Sequence, residues 1–77
     1  MAKLSGEERR ALILLAGHPN GCDEAVLLTE GVTVGLLAGL VIDGFANMSL
    51  GHIALDGREK PVIWMKITEA GRQAIAG

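Results

Sequence analysis

The sequence predicts a single small α+β domain, with three helices, then a β-hairpin, then a short fourth helix. Two observations predict this order. Helix-capping residues precede apolar segments in the first half of the chain. Two runs rich in β-branched and large apolar residues, SLGHIAL and VIWMKI, follow in the second half. The 77 residues suit one domain, assigned to residues 1–77, without repeats or linkers.

The first helix is predicted by a capping pair and a closing glycine. Ser5 and Glu8 stand in the order of a capping box, in which each side chain satisfies a backbone N–H at the helix start. The apolar segment that follows runs to Gly17, which we expect to end the helix in a left-handed conformation. The next residues, HPNG, indicate a turn because His-Pro and Asn-Gly both disfavour a helix.

Two further helices are predicted by polar capping residues. Asp23 precedes EAVLLTE, a short helix that closes at Gly31. Thr33 precedes a longer helix that runs to Gly44. One stripe of this third helix is strongly apolar and is predicted to lie in the core, continuous with the residue after the helix. It consists of Leu36, Leu37, Leu40 and Val41, followed by Phe45.

The second half of the chain predicts a hairpin and a final helix. The two apolar runs are separated by DGREKP, in which Asp-Gly and a charged tip favour a turn within residues 56–61. Pro61 would then occupy the first position of the second strand, where it disturbs little. Thr68 is predicted to cap a short helix, EAGRQAIA.

The charges are unevenly distributed along the chain. The formal net charge is −2, and the basic residues stand near the two ends: Lys3, Arg9, Arg10, Arg58, Lys60, Lys66 and Arg72. The interval between Ala11 and Gly57 has no basic residue and includes the acidic Asp23, Glu24, Glu30 and Asp43. Binding to nucleic acid depends on Lys and Arg displacing counterions, so this acidic middle disfavours it.

The outward stripe of the third helix is small and uncharged. It consists of Gly35, Ala38, Gly39 and Ile42. Base reading requires Arg, Lys, Asn or Gln side chains, and phosphate anchoring requires cations; the stripe has none of these. A helix that is apolar on all sides is normally buried on all sides, so we expect the stripe to meet apolar surface. That surface is either the second helix or hairpin of the same chain, or a partner molecule.

Four segments, in this order, resemble a known family. The acid-capped second helix, the segment LLAGLVIDGF, the hairpin and the segment KITEAGRQAI look like a winged helix-turn-helix domain. The segment Ile-Thr-x-x-Gly-Arg after the hairpin is similar to the segment that closes the wing in repressors of the antibiotic-resistance type. The resemblance covers nearly the whole chain. It implies that the third helix lies in the major groove of DNA and that the hairpin, the wing, contacts nearby phosphates or the minor groove.

The composition of the third helix favours a different function from the one that this resemblance implies. We predict a non-catalytic interaction module, linked to transcriptional regulation, that contacts a protein partner or forms a homodimer at the outward stripe. The alternative is a small dimeric regulator that binds DNA, weakly, chiefly through Arg58, Lys60 and Lys66 of the wing. Charges at a hairpin tip also serve simply as solvated residues. Trp64 is predicted to lie in the core, with an exposed binding anchor as the alternative.

No catalytic, metal or cofactor site is predicted, so the chain is not expected to be an enzyme. His18 and Cys22 stand four residues apart, but no third group is evident to orient them, and Asp23 opposes a thiolate. Two His and one Cys, with His52 far along the chain, are too few for a four-ligand zinc site. No phosphate-binding glycine motif and no small-molecule site are evident.

The sequence also favours a cytoplasmic location without membrane contact. A single cysteine cannot form an internal disulfide, which suits a reducing compartment. The start, MAKLSGEERR, does not resemble a secretory signal. The longest uncharged apolar run, from Gly31 to Ile42, falls well short of the ~20 residues that span a bilayer.

Overall fold

Four helices and three strands make up the part of the chain that the structure, a computed structural model, describes, residues 4–76. In chain order they are α1 (Gly6–Ala16), β1 (Cys22–Asp23), α2 (Glu24–Thr29), α3 (Val34–Ile42), β2 (Ala46–Leu55), β3 (Arg58–Ile67) and α4 (Glu69–Ala76). The predicted α+β class is confirmed. Lys3 and the two ends of the predicted domain lie outside the described residues.

The predicted caps form at the helix starts. The Ser5 hydroxyl accepts a hydrogen bond from the Glu8 N–H at 3.1 Å, and the Glu8 carboxylate accepts one from the Ser5 N–H at 2.9 Å. The Asp23 carboxylate accepts from the backbone N–H two residues ahead at 2.9 Å. The Thr33 hydroxyl accepts from the N–H three residues ahead at 3.2 Å. Local side-chain chemistry therefore sets where α1, α2 and α3 begin.

Of the three glycines predicted to end helices, one differs from the prediction and two agree with it. Gly17 is right-handed, with φ −71°, so the expected left-handed stop is wrong. Its N–H still donates to carbonyls of the last turn of α1, which keeps its backbone helical. The second and third helices end at Thr29 and Ile42, and the predicted glycines close them. Gly31 and Gly44 are left-handed, with φ values of 91° and 80°, and their N–H groups donate back to carbonyls of the last helical turn.

The sheet contains one strand that the sequence pattern did not predict. The three strands are antiparallel in the order β1-β3-β2. In β1, Cys22 lies opposite Met65 and Asp23 lies opposite Trp64. Asp23 is extended because it caps α2 from outside the helix, and this brief extended segment pairs with β3. Two residues are too few to show a strand's alternation.

The hairpin turn is tight and lies at the start of the predicted range. Asp56 and Gly57 have φ values of 52° and 76°, as a two-residue type I′ turn requires. Pro61 is the fourth residue of β3, opposite His52, so its placement at the strand's first position is wrong. Pairs alternate between hydrogen-bonded and non-bonded from the turn outward, and the His52–Pro61 pair is non-bonded. Proline is tolerated there because no N–H is needed.

The core lies between the helices and one face of the sheet. Its buried apolar residues are Ala11, Leu12, Leu15, Cys22, Leu27, Val32, Leu37, Leu40, Ala46, Met65 and Ile67. The predicted core stripe of α3 is confirmed, since Leu37 and Leu40 are buried and its other members pack against the cluster. Trp64 is not in this core: it lies on the opposite face of β3, half-buried. Its indole N–H donates to the Asn20 carbonyl at 2.9 Å.

Candidate interaction surfaces

The outward stripe of α3 is at the protein surface. Gly35 and Ala38 are exposed, Gly39 is half-buried and Ile42 is 83% exposed. A Cβ atom added at Gly35 or Gly39 would meet nothing within 4 Å. One of the two predicted alternatives, close packing of this stripe against α2 or the hairpin of the same chain, is therefore wrong for the described residues.

A shallow apolar groove of about 320 Å³ extends this stripe towards the sheet. It is lined by Glu24, Val34, Leu37, Ala38, Val41, Ile42 and Met48. The lining has one acid and no cation. We call the exposed stripe together with the groove residues Val34 and Met48 the α3 surface. This surface has the chemistry for contact with apolar groups and lacks the chemistry for base reading or phosphate anchoring.

Two members of the α3 surface, Val34 and Met48, were missed by the sequence reasoning. Val34 stands four residues before Ala38, so the helical period places it on the same stripe, and this signal was present. Met48 precedes the run SLGHIAL that was taken for the strand, whereas β2 already begins at Ala46. Met48 therefore joins the α3 surface only through the longer strand that the structure shows.

The three cations proposed as nucleic-acid contacts lie on one face of the hairpin. Arg58, Lys60 and Lys66 are separated by even numbers of residues along β3 and are all exposed. Trp64 lies between Lys60 and Lys66 on the same face. This face is opposite the one that carries Met65 and Met48, so the cations and the α3 surface lie on opposite faces of the sheet. A single flat ligand therefore cannot cover both.

The thiol of Cys22 lies in the core and not in a reactive site. Cys22 is buried in β1. Burial is the larger cause that raises the pKa of the Cys22 thiol, and the neighbouring Asp23 carboxylate raises it further. Both effects disfavour the thiolate, which is the nucleophilic form. His18 is exposed on the turn before β1.

We expect Cys22 to react slowly with an aromatic disulfide reagent at pH 7.5, at least ~10-fold more slowly than in urea, because the thiol is buried and protonated. Burial raises the pKa of the Cys22 thiol in the folded protein. The protonated thiol therefore contributes fully to the free energy of unfolding below the ordinary thiol pKa of ~8.5, and this contribution is lost as the pH rises through the folded pKa. Absorbance of the released aromatic thiolate gives the rate, and equal rates with and without urea would contradict the buried position.

Two kinds of site are not found among the described residues. Between residues 4 and 76, no three His, Cys, Asp or Glu side chains come together in a group that could hold a metal ion. None of the four helices described is long and apolar enough to cross a membrane. Comparison of the chain with protein-family models, with curated proteins and with solved structures found no match.

Proposed function

We propose that this chain is a non-catalytic winged-helix interaction module whose α3 surface contacts apolar surface on a protein partner or a second copy. The observation that carries this proposal is the exposure of Ile42 and Met48, 83% and 57%, beside an apolar groove that has no cation in its lining. Exposed apolar side chains that form a continuous surface are typical of protein contact sites. The link to transcriptional regulation rests on the family resemblance alone.

The layout of the elements supports the winged-helix assignment. The α2–α3 pair stands where a helix-turn-helix would, the β2–β3 hairpin stands where the wing would, and β1 pairs with the hairpin. In DNA-binding members of such folds, the helix that corresponds to α3 presents polar side chains to base edges. Here the same position presents Ala38 and Ile42, so the scaffold supports contact with a protein rather than with a base.

A stable complex requires more buried apolar area than the α3 surface alone provides. Burying a large apolar side chain contributes ~1.5–3 kcal/mol, and the α3 surface has three of them, Val34, Ile42 and Met48. Association costs an estimated ~4–15 kcal/mol in lost motion. A stable complex must therefore extend beyond these three side chains onto neighbouring surface.

Site-specific photo-crosslinking tests this proposal. A photoreactive amino acid in place of Ile42, in cells that express the chain, is expected to give protein adducts. The matched control is Ile13, an exposed isoleucine on α1 that does not line the groove. Adducts at position 42 that do not exceed those at position 13 would remove the support for the α3 surface as a contact site.

Ala38→Arg is expected to leave the monomer folded and to weaken association at least ~100-fold. The side chain of Ala38 is exposed, so an arginine there stays in water in the free monomer. In a complex the same arginine would be an unpaired charge in an apolar contact. Circular dichroism reports the fold, and sedimentation equilibrium with crosslinking yield reports association. If neither quantity changes, the α3 surface simply faces water.

The second candidate function is weak binding of nucleic acid by the wing, favoured by the common face of Arg58, Lys60 and Lys66. We expect a dissociation constant of ~10⁻⁴–10⁻⁶ M or weaker at physiological salt, without sequence preference. Three phosphate contacts predict a salt slope of about −3 on logarithmic axes. Replacing Arg58 and Lys60 with glutamine should abolish binding to random duplex, measured by fluorescence anisotropy. A nanomolar complex that survives physiological salt would contradict this expectation.

A further inference from the structure

The outer edge of β2 lacks the features that normally protect an edge strand. β2 is the last strand in the order β1-β3-β2, and it is ten residues long, Ala46–Leu55. Its sequence, ANMSLGHIAL, has no Lys, Arg, Asp, Glu or Pro. Edge strands in monomeric proteins are usually short, charged or interrupted, because a long unprotected edge pairs with another strand.

The backbone groups at this edge point away from the rest of the sheet. Leu55 and Arg58 flank the two-residue turn and form a hydrogen-bonded pair, so every second residue of β2 from Leu55 back to Asn47 bonds to β3. The Phe45 carbonyl, next in this series, accepts from the Thr68 N–H at 3.0 Å. The alternate residues of β2, which do not bond to β3, direct their backbone N–H and C=O groups outward: Ala46, Met48, Leu50, His52 and Ala54. Among residues 4–76, no backbone hydrogen bond joins this edge to another segment.

We propose that β2 pairs antiparallel with β2 of a second copy, centred on Leu50, which names the partner of the proposed interaction module and so rests on that function. Leu50 lies opposite Leu50 of the second copy, Met48 opposite His52 and Ala46 opposite Ala54. In this register the outward groups of each copy meet those of the other. The two three-stranded sheets become one continuous sheet about a twofold axis.

Charge favours a second copy as the occupant of this edge. With no charged residue in β2, antiparallel pairing brings no like charges opposite each other. Because Ala54 lies opposite Ala46, the hairpin tip of one copy runs beside the residues that precede β2 in the other. The charged tip residues Asp56, Arg58 and Glu59 and the exposed Asp43, the C-cap of α3, all lie outside the five paired positions, so no like charges oppose each other within the pairing.

The edge is continuous with the α3 surface. Met48 lines the groove, and Leu50, 68% exposed, is the next residue on the same face of β2. Pairing places His52 and Ala54 of the second copy beside Met48 and Ala46, on the side of the sheet where the groove opens. The two copies therefore add backbone hydrogen bonds and apolar contact to the α3 surface, which is the additional surface that a stable complex requires.

Amide hydrogen exchange tests the pairing directly, because the expected pattern alternates. At high protein concentration, the amides of Met48, Leu50 and His52 should become at least ~10-fold slower to exchange than in dilute protein. The amides of Ser49 and Gly51, which bond to β3, should be protected at both concentrations. Exchange of Leu50 that is independent of concentration up to millimolar protein would overturn the proposal.

Leu50→Pro separates the backbone pairing from side-chain packing. This substitution removes an outward N–H, so no hydrogen bond to β3 is lost, as at Pro61 in the facing strand. The matched control Leu50→Ala removes the same side chain and keeps the N–H. We expect Leu50→Pro to weaken dimerisation at least ~30-fold more than Leu50→Ala, measured by sedimentation equilibrium. Equal effects would overturn the backbone pairing.

A third variant guards against a proline that unfolds the hairpin. Leu50→Lys keeps the N–H but places two lysines opposite each other across the twofold axis. We expect it to abolish dimerisation at low salt, with the amides of Ser49 and Gly51 still protected in the monomer. A dimer that persists in Leu50→Lys would contradict pairing centred on this residue.

The edge proposal and the proposed function fail in different ways. A dimer that survives Ala38→Arg but not Leu50→Pro supports the edge and removes the α3 surface from self-association. A dimer that survives Leu50→Pro and Leu50→Lys but not Ala38→Arg overturns the edge and keeps the α3 surface. A wild-type chain that stays monomeric overturns the edge, and crosslinking from Ile42 still decides the proposed function.

Discussion

Replacing Gly71 with alanine is expected to destabilise the protein by about 3 kcal/mol, because α4 meets the loop after α3 at this residue. Gly71 is buried. An added Cβ would collide with the Phe45 carbonyl oxygen and would lie 2.8 Å from Cγ1 of Ile67. That carbonyl cannot easily move, since it already accepts the Thr68 N–H at 3.0 Å.

Urea unfolding followed by circular dichroism measures this effect. The matched control is Gly39→Ala in the middle of α3, where an added Cβ meets nothing within 4 Å. Alanine there should stabilise the free monomer by ~0.5–1 kcal/mol through its higher helix propensity. A Gly71→Ala protein as stable as the parent would show that α4 can shift away from the loop.

The same junction explains the segment Ile-Thr-x-x-Gly that the sequence analysis singled out. The Thr68 hydroxyl accepts the Gly71 N–H at 3.0 Å, which caps α4 as predicted, and it donates to the Gly44 carbonyl at 2.7 Å. Glycine at position 71 lets the Phe45 carbonyl approach the helix. The segment therefore ties the C-terminal helix to the end of α3 and fixes the orientation of the α3 surface.

Features that depend on neighbours in the chain were predictable from the sequence. The Ser5–Glu8 capping box, the Asp23 and Thr33 caps and the Asp-Gly turn each form from groups within three residues of one another. Their chemistry is therefore visible in the sequence itself. The core stripe of α3 follows from helical periodicity in the same way.

Features that depend on distant segments were not predictable. β1 exists because Asp23 meets Trp64, some forty residues later. Trp64 lies on the face of β3 opposite the buried Met65 and Ile67, where its N–H reaches the distant Asn20 carbonyl. The exposure of Ile42 depends on which segments pack near α3, which a single helix does not determine. The sequence allowed two alternatives for the outward stripe of α3, packing within the chain or contact with a partner molecule. The tertiary structure was needed to exclude packing within the chain.

Met65→Ala is expected to cost about 2–5 kcal/mol in stability, whereas Met48→Ala should cost within ~0.5 kcal/mol. The two methionines face each other across β2 and β3 on the same face of the sheet. Met65 is fully buried in the core, so its truncation leaves a cavity. Met48 is 57% exposed, so its truncation leaves little empty space.

The same pair of variants separates folding from contact at the α3 surface. If Met48 is part of an interface, Met48→Ala should weaken association about 10-fold, since apolar area that the interface buries is lost, while urea unfolding of the monomer stays unchanged. Met65→Ala should lower stability, and association should fall only as far as the folded fraction falls. Equal losses of stability in both variants would mean that Met48 contributes to the core of the monomer, and the α3 surface would then be smaller than proposed.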